Sequence, residues 1–144
     1  AQELNPDYLY TYLQFFTIDF NLGNDARAME ALQTFLSGSS VTSAYMDTIG
    51  AVYQNSGMNG LWNLLAEIWQ KDPSSPLSDI AWCYSILKDR EQALTWMEKA
   101  VEARSSAIPR IMSYPEYGFL HPDPRFRAMV VQMGLNSYYP QAYE

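Results

Sequence analysis

The sequence predicts an all-α fold, a solenoid of helical hairpins closed by C-terminal capping helices. Three observations lead there. First, Asp79 to Arg104 holds two short apolar stripes at helical spacing, Ile80, Ala81, Tyr84 and Leu87, then Ala93, Trp96, Met97 and Ala100, joined at Leu87-Lys88-Asp89. Second, the chain aligns on itself. Turns centred on Gly23, Gly57 and Lys88 stand 34 and 31 residues apart, the period of a helix-turn-helix repeat. Third, Asn5-Pro6, Ser75-Pro76 and Asp123-Pro124 each place a capping residue before a proline, a start signal for a helix.

Taken in order, the first helix runs from Pro6 to about Leu22 and is apolar on most sides, which predicts packing on more than one face. Gly23 supplies a left-handed turn, and Asn24 or Asp25 caps a second helix whose stripe is Ala28, Ala31, Leu32 and Phe35. Ser37 to Ser40 reads as a flexible turn. Thr42 or Ser43 caps a third helix carrying Tyr45, Ile49, Val52 and Tyr53, which Gly57 ends. A fourth, from Asn59 to Lys71, presents Leu61, Trp62, Leu65, Ala66, Ile68 and Trp69 and stops at Asp72-Pro73. The fifth helix starts at Ser75-Pro76, and Asp89 with Gln92 forms a capping-box-like start for the sixth, whose charged residues read as a solvated face. Ser106 opens a short helix through Ser113 with Pro109 in its first turn. A turn-rich loop from Pro115 to Pro124 leads to a last helix with Phe126, Met129, Val130 and Met133 inward and Gly134 at its end. Hairpins over about 6–37, 42–72 and 76–104, with a cap over about 106–135, make one domain.

Several of these residues carry a family resemblance. Ile49-Gly50-x-x-Tyr53 and Ile80-Ala81-x-x-Tyr84, with Ala93-x-x-x-Met97, Ala28-x-x-x-Leu32 and Phe15-Phe16-x-x-Asp19, resemble the tetratricopeptide repeat (TPR) signature over residues 9 to 107. Trp62 departs from it, since a small residue is usual there. The segment from Ser75 to Ser106, followed by Asp123-Pro124-Arg125-Phe126 and Gly134-Leu135, resembles the end of TPR regions in bacterial winged-helix regulators, class III adenylate cyclases and Ser/Thr kinases. The resemblance implies a right-handed solenoid belonging to a longer signalling protein, periplasmic in a membrane-anchored regulator and cytoplasmic otherwise.

Composition narrows the function classes. Hydrophobic residues reach 48% and charged ones only 17%, enough apolar material for a sizeable core in 144 residues. Aromatics reach 15%, which serves either as bulky spacers between stacked helices or as the lining of a groove. The net charge is −7, and residues 1 to 70 hold Glu3, Asp7, Asp19, Asp25, Glu30, Asp47 and Glu67 against Arg27 alone. Nucleic acid is a poor partner for such a surface, because phosphate binding requires a basic patch. No apolar run near 18 residues predicts a membrane span, and no leader pattern opens the chain. One cysteine excludes an internal disulfide.

The tools of catalysis are few. Cys83 and His121 are the single residues of their kinds, and a dyad of the two is the one nucleophilic arrangement to weigh; Cys83 on a packed helix reads instead as a small core filler. His121-Pro122-Asp123 offers two metal-ligand types without a third or fourth. Glu98 and Glu102, four apart on one helix among basic residues, read as an ion-pair face. No phosphate loop, nucleophile elbow or dinucleotide fingerprint occurs. No enzyme, cofactor or metal is therefore expected.

What remains is binding. In the TPR architecture the first helix of each hairpin lines the concave side, which predicts a groove from Tyr10, Leu13, Thr17, Phe20 and Asn21, then Asp47, Gln54 and Asn55, then Ser78 and Trp82. Such a groove suits a protein segment or small-molecule ligand with apolar surface and polar or basic groups. The expected function is a sensory or protein-interaction module regulating an attached output domain. The alternative is a structural module that forms a homodimer through exposed aromatic faces.

Overall fold

The computed structural model describes residues 6–38 and 40–135. Its helices are α1 (Pro6–Asn21), α2 (Asp25–Ser37), α3 (Ser40–Ser43), α4 (Ile49–Lys71), α5 (Leu77–Ile86), α6 (Arg90–Glu102), α7 (Ile108–Ile111) and α8 (Pro124–Gln132), with 3-10 turns at Met46–Thr48 and Pro115–Leu120. No strand occurs among the described residues, so the fold is all-α. Contacts gather into two compact units, Ala1–Leu61 and Trp62–Glu144.

In the first unit α1 lies along α2 and buries Leu13 and Phe16, while α2 buries Ala28, Ala31, Leu32 and Leu36. The reversal between them uses Gly23 at φ 76, and the Asn24 amide donates to the Asp19 carbonyl at 2.8 Å, closing a Schellman turn. Asn24 does not cap α2 with its side chain; its amide reaches back to the Asp19 carboxylate at 3.4 Å. Gly38 is buried rather than a loose spacer, and a methyl group there would overlap Leu9 of α1. The third helix starts later than its sequence suggests, at Ile49, because Thr42 donates its hydroxyl to the Leu36 carbonyl at 2.6 Å and a 3-10 turn intervenes.

α4 is not one straight rod. Gly57 adopts φ 66, ψ −159, a conformation reserved for glycine. A Cβ placed on Gly60 would lie 3.4 Å from the Val52 carbonyl oxygen, whereas eight residues of straight helix span about 12 Å. The chain therefore folds sharply back at Gly57, where the sequence places its second hairpin turn.

In the second unit α5 and α6 form a hairpin around Ile80, Ala81, Cys83, Ala93, Leu94, Met97 and Ala100. Lys88 takes the left-handed position at φ 58, and the Asp89 amide donates to the Tyr84 carbonyl at 3.0 Å. Asp89 caps α6 by accepting the Gln92 amide at 3.1 Å. Tyr84 reaches backward to α4, accepting a hydrogen bond from Gln70 at 2.8 Å. Trp62 turns edge-on to Trp82, with ring centroids 5.2 Å apart.

The C-terminal elements close this unit. Tyr117 and Leu120 of the second 3-10 turn and Phe126, Met129 and Val130 of α8 are buried, whereas Met133 is half-buried. Each member of Asp123-Pro124-Arg125-Phe126 has a separate task. Asp123 caps α8 through the Arg125 amide at 2.8 Å and pairs with Arg90 at 3.4 Å. Pro124 occupies the first turn, and Phe126 enters the core beside the His121 ring, 4.8 Å away. Arg125 grips α6: its guanidinium donates to Glu98, to Thr95 at 3.2 Å and to both oxygens of Glu91 at 3.0 and 3.1 Å. The charged face of α6 is thus the bed for α8 rather than a purely solvated surface. The tail from Asn136 and the Asn5 cap lie outside the described residues.

Candidate interaction site on the first hairpin

The residues predicted to line a groove differ in exposure. Leu13 is 1% exposed and Ser78 is 4% exposed, so both are core positions: Leu13 belongs to the buried strip that α1 turns toward α2, and Ser78 sits in the first turn of α5. Thr17 spends its hydroxyl on the Leu13 carbonyl at 2.9 Å. Phe20 and Trp82 are half-buried, Trp82 through its contact with Trp62. Tyr10, Asn21, Asp47, Gln54 and Asn55 are exposed.

Among the described residues, most of the exposed large hydrophobic side chains lie elsewhere on α1 and at its end. Phe15 is 48% exposed, Ile18 53% and Leu22, just past the helix end, 68%, with Tyr8 exposed one turn before Tyr12. At 100° per residue, Tyr8, Tyr12, Phe15, Ile18 and Leu22 fall within about a third of the helix circumference, well round from Tyr10, Thr17 and Asn21. Neighbouring rings stiffen the stripe. Tyr8 and Tyr12 share a hydrogen bond at 2.8 Å and meet edge to face at 5.3 Å, and Tyr12 meets Phe15 in the same way at 5.9 Å. The bond from Tyr8 raises the Tyr12 pKa above its ordinary value.

Beside this stripe, between α1 and α2, is an open cavity of about 270 Å³ walled by Tyr12, Phe15, Asp19, Arg27, Glu30 and Thr34. Its volume falls below the roughly 300 to 1,000 Å³ of small-molecule sites, so it suits a single side chain better than a cofactor. Arg27 stands 3.9 Å from Asp19, a loose pair with an exposed guanidinium. Glu30 is exposed and makes no ion pair among the described residues. The sequence shows the aromatic residues of this stripe plainly. Their exposure was hidden, because an all-round apolar helix predicts burial on several sides.

The second unit holds buried ionisable groups of another kind. Cys83 is fully buried, and burial pushes its thiol pKa well up, with Asp79 one turn earlier adding to the shift. Burial at this position favours the protonated thiol. His121 places Nε2 3.2 Å from the Met112 carbonyl oxygen, and its ring lies tilted by 33° against Phe126. No group of three His, Cys, Asp or Glu able to hold a metal occurs among the described residues, and none of their helices is long and apolar enough to cross a membrane. Comparison with family models, with curated proteins and with solved structures returns no match to this chain.

Proposed function

We propose that this chain is a TPR-like, non-catalytic interaction module that takes a helical segment of a partner protein on the outer face of α1 and couples that binding to an attached signalling or transcription output domain. The single observation behind this reading is the stripe of Tyr8, Phe15, Ile18 and Leu22, all exposed, with half-buried Tyr12 among them. Four large exposed apolar groups along four helical turns would be covered in a folded protein unless they met something else. Their spacing is that of a helix laid against a helix, in which anchors recur every three or four residues. The burial and raised pKa of Cys83 support the non-catalytic part of the reading.

The test is selection of helical peptides from a displayed library on the wild-type chain, followed by binding to Ile18→Asp and Leu22→Asp. Both side chains are exposed, so each variant keeps its thermal melt. Selected peptides are expected to lose at least about tenfold in affinity, the equivalent of one anchor. Peptides that bind both variants as tightly as wild type place recognition elsewhere on the molecule and overturn the reading.

A further inference from the structure

The exposed face of α1 lies in the more acidic part of the chain. Residues 1–61 carry Glu3, Asp7, Asp19, Asp25, Glu30 and Asp47 against the single base Arg27, so this unit holds most of the net charge of −7. Two of those carboxylates, Asp19 and Glu30, stand in the wall of the cavity that opens beside the stripe, next to Tyr12 and Phe15. Aromatic faces beside carboxylates form a seat for a cation, since the ring quadrupole and the negative charge attract the same group. A second copy of this chain would bring a like-charged surface against it, at an electrostatic cost.

Resting on the docking face proposed above, we infer that its occupant is a basic amphipathic helix whose apolar seam covers Phe15, Ile18 and Leu22 and whose Lys or Arg enters the cavity toward Glu30. The stem of that side chain lies along Tyr12 and Phe15, and its head reaches carboxylate and water together. Arg27 competes with it: its guanidinium, 3.9 Å from Asp19, already offsets part of the negative charge. Tyr8 to Leu22 spans about 21 Å at 1.5 Å per residue, so a partner helix of about four turns covers the stripe.

Two synthetic helices test this, identical in their Leu seam, one flanked by Lys and the other by Glu, titrated into the full chain by fluorescence anisotropy at low and high salt. The Lys peptide is expected to bind about tenfold tighter than the Glu peptide at low salt, with the gap closing at high salt. Glu30→Lys should abolish the gap, Glu30→Gln should halve it or more, and Arg27→Gln should widen it. Circular dichroism melts serve as the folding control, and both Glu30 and Arg27 are exposed. Equal binding of the two peptides, or preference for the Glu peptide, overturns the basic partner while leaving the docking face intact if Ile18→Asp still abolishes binding. If neither peptide binds, the inference fails, and sedimentation then separates the two readings. A dimer dissolved by Ile18→Asp assigns the face to a second copy, whereas a monomer unaffected by that change removes the docking face as well.

Discussion

Replacing Asp79 by Asn should stabilise this protein at neutral pH, and by an amount that vanishes in acid. Asp79 lies in the first turn of α5 and is half-buried, and loss of hydration pushes its carboxyl from an ordinary 3.8 up to about 6. Arg110 and the positive end of the helix pull the other way, but burial outweighs them. The folded pKa therefore exceeds the unfolded one. Between about pH 4 and 6 the native chain holds a proton that the unfolded chain has released, so stability is greatest below the unfolded pKa and falls as pH rises through the folded one. Two pKa units correspond to at most about 3 kcal/mol, and solvent reaching the partly exposed carboxyl reduces this to about 1 to 2 kcal/mol. Asn keeps the shape and removes the charge. Urea denaturation should find Asp79→Asn more stable than the parent by about 1 to 2 kcal/mol near pH 7 and equal to it near pH 4. Asp72, whose carboxyl is held low by hydrogen bonds from Ser74, titrates in the opposite sense but is present in both proteins and cancels in the difference. A variant no more stable at neutral pH, or one whose advantage persists in acid, would refute the burial argument.

Three further predictions concern the backbone and the α8 clamp. Gly57→Ala should cost about 1 to 3 kcal/mol by denaturant midpoint although open space surrounds its Cα, since the penalty comes from φ 66, ψ −159 alone. Arg104 occupies a left-handed position at φ 57 on the exposed end of α6, so Arg104→Gly should raise stability by up to about 1 kcal/mol, relief of left-handed strain less the added freedom of the unfolded chain. Arg125→Lys should lose most of what Arg125→Ala loses, about 1 to 3 kcal/mol with a reduced salt dependence of the melt, because a single ammonium cannot span Glu91, Thr95 and Glu98 together. A Lys variant with the parental melting temperature would show the clamp to be ornamental.

The sequence by itself determined where the chain turns. Gly23, Gly57, Lys88 and Gly134 all take positive φ, and Asp89 and Asp123 cap the helices they precede. These features depend on the sterics of one residue and on hydrogen bonds to amides two or three positions away, so local chemistry suffices to read them. Tertiary structure alone decided which apolar faces are covered. Periodicity shows Leu13 and Phe15 both on an apolar helix, yet the first is core and the second is open, because only one side of α1 meets α2. It also decided that Arg125 would reach Glu91, 34 residues away, and that Asp79 would lose its water. Turns are set by the chain's own bonds; burial is set by whichever element arrives from a distance, and no short-range pattern names that neighbour.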